Sequence, residues 1–266
     1  MIPTDTIDAL EQCWRSLTDL CGQLDEPRWK LPTDLPHWTV QDNLSHLVAI
    51  ERMLAGHAPT EHRAQDLAHV RNPIGEHNEH EVDLRRSLPG AAVLAEWTEV
   101  STSRLATLRS ADDEYFDAPA MTPVGPGTVA DFLHVRVLDS WVHEQDIRRA
   151  VGIPGNLSGP AAELTIDRLL RTVPIVVGKR AATPEGSAVQ LEITGGVRRT
   201  LVCEVANGRA VPVDRPSTEP LCTISLDVEG FLVLATGRRA APDVAAVVRG
   251  DSRHANLVLD QFNMMI

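Results

Sequence analysis

Asp139 and His143 lie four residues apart in the stretch Thr128-VADFLHVRVLDSWVHEQDIRRA-Val151. That spacing sets a carboxylate and an imidazole on one face of a helix, beside Val135, Leu138 and Val142. Left in an apolar setting, the two groups are costly unless they are ion-paired, densely hydrogen-bonded or bound to a metal. His46, in Trp38-TVQDNLSHLVAIERML, is the expected third partner: it stands beside Leu47 and one turn before Ile50, so it can face inward. One His and an i, i+4 Asp/His pair supply three N/O ligands, leaving an open position for water or substrate on a zinc-like ion. A simpler arrangement is open as well, with Asp139 and His143 paired to each other and His46 bonded to a neighbouring carbonyl. Spacing alone does not choose, because acidic residues and His four apart are common on helices.

Holding such residues requires helices that meet. Around His46, Thr39 reads as an N-cap, Asp42 favours the positive end of the helix dipole, and Leu44, Leu47, Val48 and Leu54 supply apolar surface. An earlier helix is predicted from about Asp5 to Leu24, where Ile7, Leu10, Trp14, Leu17, Cys21 and Leu24 form one stripe. Another is predicted from Pro89 to Leu108, with Pro89 suited to a first turn. The loop Met121-TPVGP-Gly127 breaks the chain before Thr128, which caps the Asp139 helix. Four helices of this length make a bundle.

The run Val151-GIPGNLSG-Pro160 marks a domain boundary, separating a bundle over residues 1–152 from a second domain over 160–266. There Ala161 to about Val177 reads as a helix. Strands follow at Ala188-VQLEIT and Arg198-RTLVCEV, flanking Gly195-Gly196, then at Arg209-AVPV after the turn pair Asn207-Gly208, and at Leu221-CTISL. Asp227 to Thr236 and Ser252 to Met264 read as helical. The expected fold class is α+β, a four-helix bundle followed by a small α/β domain.

Trp38-Thr39-Val40, Asp42, His46-Leu47 and Glu51, with Arg136, Asp139, Trp141-Val142-His143 and Asp146, make this chain resemble the mycothiol-dependent maleylpyruvate isomerase family. Its first domain is similar to the wider DinB-like metal-binding bundles, and its last third to that family's small C-terminal domain, of sterol-carrier-like type. The resemblance implies a divalent metal, usually zinc, held by His46, Asp139 and His143. One position departs from the pattern: the family has Glu where this chain has Asp139, one methylene shorter. Either the ion sits closer to this helix or the substrate differs.

The implied activity uses mycothiol as a thiol cosubstrate and turns maleylpyruvate into fumarylpyruvate by thiol addition, bond rotation and elimination. The resemblance also implies a catalytic Arg in the C-terminal domain, matched by Arg238 in Thr236-Gly237-Arg238, with Arg239 as its neighbour. On this expectation Arg238 reaches the open side of the metal and pairs with a dianionic substrate. Two other functions fit the same residues: a mycothiol S-transferase that leaves a stable thioether, and a metal-stabilised protein that binds a small molecule or lipid without catalysis.

The composition supports a small-molecule enzyme in the cytoplasm. A net charge of −12 over 266 residues excludes a nucleic-acid rail. No stretch approaches the ~20 apolar residues of a membrane span, and no basic-then-apolar leader is present. Cys13, Cys21, Cys203 and Cys222 form no C-x-x-C pair and read as reduced core thiols. His143-Glu144 invites an H-E-x-x-H reading, but Ile147 occupies the last position. His134 is half a turn out of phase with His143 and is expected to be structural. Asp146 is a candidate to orient the His143 ring. His57, His62, His69, His77 and His80 are expected in a solvated loop, within which Arg71-NPIGEHNEHE-Val82 could edge the site.

Overall fold

Ile7, Leu10, Trp14, Leu17 and Cys21 are all buried along α1 (Thr4–Cys21), as the three- and four-residue spacing requires of an amphipathic helix. The computed structural model describes residues 1–123 and 125–264, and the chain divides into two units, Met1–Gly155 and Asn156–Ile266. In the first unit α1 is followed by a short α2 (Glu26–Trp29), α3 (Val40–Leu54), α4 (Pro73–Asp83), α5 (Gly90–Ser110) and a short α6 (Asp113–Asp117). An antiparallel hairpin, β1 (Pro119–Thr122) and β2 (Gly125–Thr128), then leads into α7 (Val129–Val151). The long helices close a ring in which α1 and α3 each pack on both α5 and α7.

Tryptophans fill the centre of this bundle. The rings of Trp14 and Trp97 meet edge to face at 5.4 Å. Their indole N–H groups donate to Ser140 Oγ at 2.9 Å and Thr18 Oγ1 at 3.0 Å, so neither indole is left unpaired.

The helices carrying His46, Asp139 and His143 start in the same way. Thr39 Oγ1 accepts from the Asp42 backbone N–H while Asp42 Oδ2 accepts from that of Thr39; Thr128 and Asp131 repeat the reciprocal pair at α7. These caps hold two of the otherwise unpaired N–H groups at each helix start. Gly152, at φ 69°, ends α7 in the left-handed conformation that favours glycine.

Two segments of this unit differ from the sequence expectation. The stretch 71–82 is not a loop: it contains most of α4, capped by Asn72 Oδ1. Its apolar residues are too few to show a helical stripe, and the face it buries consists of Glu79, Glu81 and Val82. Ion pairs supply what the periodicity lacks, with Arg86 meeting Glu79 at 2.6 Å and Arg85 meeting Glu81 at 3.4 Å. The loop before α7 is the β1–β2 hairpin, whose Pro- and Gly-rich strands have no alternating pattern to read.

The second unit begins with α8 (Pro160–Leu170) and α9 (Val173–Ile175), which continues as a π-helical turn, Val176–Arg180. A single helix over 161–177 was expected; Pro174, with no backbone N–H to donate, falls where the helix is interrupted. The remaining elements are β3 (Ala188–Thr194), β4 (Arg199–Ala206), β5 (Arg209–Val213), β6 (Cys222–Asp227), α10 (Val228–Ala235), β7 (Val247–Gly250) and α11 (Ser252–Leu259). The sheet order is β5-β4-β3-β6-β7, parallel only between β3 and β6.

Register follows burial in this sheet: Val189, Leu191 and Ile193 lie opposite Cys222, Ile224 and Leu226, and all six are buried. Asn207 and Gly208 both have positive φ and turn the β4–β5 hairpin. β7 was missed, since Val247-Val-Arg-Gly is short and at the sheet edge. The last helix ends at Leu259, several residues earlier than expected. All four cysteines are buried and free; burial pushes the Cys203 thiol up to about 12 and the Cys222 thiol to about 11. Among the described residues no helix is long and apolar enough to cross a membrane.

Candidate metal centre

His46 on α3 and Asp139 and His143 on α7 meet at the middle of the bundle. His46 Nε2 is 3.3 Å from Asp139 Oδ2, and His143 Nε2 is 3.5 Å from Asp139 Oδ1. The two imidazole rings are 4.8 Å apart between centroids. Both are buried, whereas the Asp139 side chain is 22% exposed, so the cluster opens on the carboxylate side. Trp38 covers the rings from one side, its centroid 5.3 Å from His46 and 5.9 Å from His143.

The tautomer of His143 is set by Asn43. Asn43 Nδ2 donates to the Thr39 carbonyl at 2.9 Å and to Thr33 Oγ1 at 3.2 Å, which turns its Oδ1 toward His143 Nδ1 at 2.7 Å. Nδ1 must then carry the proton, and Nε2 presents its lone pair to a carboxylate oxygen. Two acceptors facing each other at this distance need a positive centre between them, either a second proton or a cation. Two atoms bound at 2.0–2.1 Å and the tetrahedral angle lie about 3.3–3.4 Å apart. The two imidazole–carboxylate separations are near that edge length but run to the two different oxygens of Asp139, and the three ligand atoms lie within 4.8 Å of one another, wider than one tetrahedral edge. Two imidazoles and a carboxylate converging in this way are the donor types of a divalent ion of the zinc class.

The charges around the cluster are balanced by a buried chain. Arg136 Nη1 donates to Asp139 Oδ2 at 2.6 Å, Arg136 Nε to Glu51 Oε1 at 2.7 Å, and Arg104 Nε to Glu51 Oε2 at 3.2 Å. Burial opposes ionisation of Asp139, but Arg136 and the two imidazoles outweigh it and hold the carboxyl well below its usual range. Burial lowers the pKa of His46 despite Asp139 beside it. For His143 burial acts in the same direction, yet Asp139 and Asp146 prevail and raise it.

Sequence reasoning singled out His46, Asp139 and His143, which the fold brings together, but not Asn43 or the Arg104–Glu51–Arg136 chain. Asn43 lies one turn before His46, and that spacing was the available signal; Glu51 and Arg136 stand among the residues that carry the resemblance, but no spacing joins them to each other or to Arg104. Asp146 Oδ2 is 3.5 Å from His143 Nδ1, with Asn43 the nearer acceptor, and Asp146 also pairs with Arg149. Glu144 points at α1, accepting from Ser16 Oγ at 2.7 Å and Arg148 Nε at 2.8 Å. His134 approaches Thr6 Oγ1 at 3.5 Å.

Of the histidines expected in solvent, His57 is exposed. His62 pairs with Asp83 at 2.6 Å, His69 stacks on His37 at 4.4 Å, and His80 Nδ1 accepts from the Ala64 N–H. His77 on α4 is half-buried. In the second unit Arg238 is half-buried and its Nη1 donates to the Thr236 carbonyl at 3.0 Å; Arg239 is exposed.

Fold and site together define an α+β protein whose helical bundle carries a His/Asp/His cluster. The chain belongs to the mycothiol maleylpyruvate isomerase family: the family model for its N-terminal domain matches residues 10–148. Two solved structures of the mycothiol-dependent maleylpyruvate isomerase share the fold at 16% identity. A mutant form gives a TM-score of 0.55 over 91% of this chain and 92% of that one. The other gives 0.52 over 89% of each. No curated protein matches the sequence.

Proposed function

We propose that this protein is a metal-dependent enzyme that uses mycothiol on a maleylpyruvate-type substrate, with His46, Asp139 and His143 holding a divalent ion, zinc in the first instance. The observation that carries this reading is the convergence of His46, Asp139 and His143, whose ligand atoms lie within 4.8 Å of one another inside a bundle of this family. A bound cation would supply Lewis acidity, lowering the pKa of a thiol brought to the open side.

The chain's own residues do the rest. Asn43 keeps the His143 proton on Nδ1, Arg136 holds the Asp139 carboxylate in its ionised form, and Trp38 shields both rings from water. The thiolate adds to the carbon–carbon double bond of the substrate, the resulting single bond rotates, and elimination restores the double bond and releases the thiol unchanged. Arg238 is assigned to the substrate carboxylates.

Asp139, in place of the family's Glu, favours keeping a second reading, a mycothiol S-transferase whose thioether is the product. Metal analysis of the purified protein, followed by maleylpyruvate conversion with and without mycothiol, tests the proposal. Zinc near one equivalent, lost in His143→Ala, and thiol-dependent fumarylpyruvate are expected; a metal-free protein or thiol-independent turnover refutes it. Arg238→Met should keep the metal and lose turnover, and full activity in that variant removes Arg238 from the chemistry. A stable thioether detected by mass spectrometry selects the transferase.

A further inference from the structure

The two imidazoles of the cluster are held in different ways. His143 Nδ1 meets Asn43, whereas His46 Nδ1 is buried and has no hydrogen-bond partner among the described residues. His46 Nε2 is the nitrogen that faces Asp139, so with an ion on that side the proton stands on Nδ1. A metal-bound imidazole almost always gives its second N–H to an acceptor, which fixes the ring. His46 has none, and its rotation is therefore set by packing.

Trp38 packs against that ring, 5.3 Å between centroids and 46° between planes, and the indole is itself tied down at both ends. Its Nε1–H donates at 3.0 Å to Glu79 Oε2, a carboxylate buried on α4. Its backbone carbonyl accepts from Thr33 N–H at 3.0 Å and Thr33 Oγ1 at 2.9 Å. His37, the residue before it, is held at φ 69°, a conformation uncommon for a residue with a side chain and kept where the surroundings impose it. Glu79 is not needed to balance Arg86, which also meets Asp42 at 3.2 Å and Asp83 at 3.0 Å. We propose that Trp38 is the positioning residue of His46, its indole taking the place of the missing acceptor, and that Glu79 acts through the indole N–H to keep that ring in place. The assignment rests on the metal reading above and extends it to two residues outside the ligand set.

Two measurements on the full-length protein test it: zinc affinity by chelator competition, and the ring signals of His46 in NMR spectra of the metal-free protein, identified by their loss in His46→Ala. Trp38→Leu is expected to bind zinc about tenfold more weakly than wild type, with the His46 ring signals broadened or split. Glu79→Met keeps the length of the side chain and leaves Arg86 its two other carboxylates. It should weaken zinc binding by about threefold or more in the wild-type background and by less than about twofold once Trp38 is Leu, because residues that act through one another are not additive. A Glu79 that only anchors α4 would cost the same in both backgrounds.

Unchanged zinc affinity in Trp38→Leu, with a wild-type urea midpoint, overturns the role of Trp38. Equal losses from Glu79→Met in the two backgrounds overturn its action through the indole, and where Glu79→Met does not fold the Trp38→Leu measurements decide. A wild-type protein that takes up no zinc refutes the metal reading by itself. The His46 signals then decide the positioning: broadened or split in Trp38→Leu, they sustain it, and unchanged, they overturn it.

Discussion

Replacing Asn43 with Leu removes the acceptor that orients His143 and keeps a side chain of similar size. The bond is 2.7 Å long, and both residues are buried, Asn43 completely. Leaving a buried donor unpaired costs about 1–3 kcal/mol, which corresponds to roughly 5- to 150-fold in an equilibrium constant. Asp146 Oδ2, 3.5 Å from the same nitrogen, can take part of the load. The expected loss of zinc affinity is therefore near the lower part of that range, about tenfold, in line with other residues that orient a metal-bound imidazole. Competition against a chromophoric chelator gives the affinities, and urea unfolding of the metal-free proteins separates folding from binding. Equal affinity of Asn43→Leu and wild type would refute the assignment of Asn43 as the residue that sets the ring.

Three further outcomes follow from the packing. Glu51→Gln removes the carboxylate shared by Arg104 and Arg136, at 3.2 and 2.7 Å; breaking a buried pair of this kind should cost about 3–5 kcal/mol in urea unfolding, and a loss under about 1 kcal/mol would contradict it. Gly90→Ala would set a Cβ 2.1 Å from Trp29 Cγ, against an indole that is itself buried, so a drop of about 1–3 kcal/mol is expected and an unchanged midpoint would show that the α2 turn gives way freely. The pKa of Glu96 is lowered: burial opposes its charge, but the paired bonds from Arg85 Nε and Nη2, each 2.8 Å, prevail. Its contribution to stability is thus full above the unfolded carboxylate value of about 4.3 and is lost as pH falls through the lower folded value. The urea midpoint should fall over that acidic window less steeply in Glu96→Gln than in wild type.

What the sequence determined about this protein is its local periodicities. Asp139 and His143 share a face because four residues make about one turn, and Thr39 and Thr128 announce helix starts because their side chains can hold the first free N–H groups. The strand segment Ala188-VQLEIT was legible as well, and its alternation sets Val189, Leu191 and Ile193 on the one face that is buried. The resemblance, resting on short motifs around His46 and His143, carried the family and pointed to His46, Asp139 and His143, which the fold brings together.

Tertiary structure decided whatever depends on partners distant in the chain. Segment 73–83 is helical although its composition reads as solvated, because Arg86 pairs with Glu79 and Arg85 anchors Glu81. Asn43 became the partner of His143, a hundred residues away, only when α3 and α7 were packed side by side. Glu51, Arg104 and Arg136 come from three helices and form one chain only in the closed bundle. No spacing rule links such residues, since a single sequence carries the period of each helix but not the rotation at which one helix meets another. That rotation is set by the combined packing of the whole core.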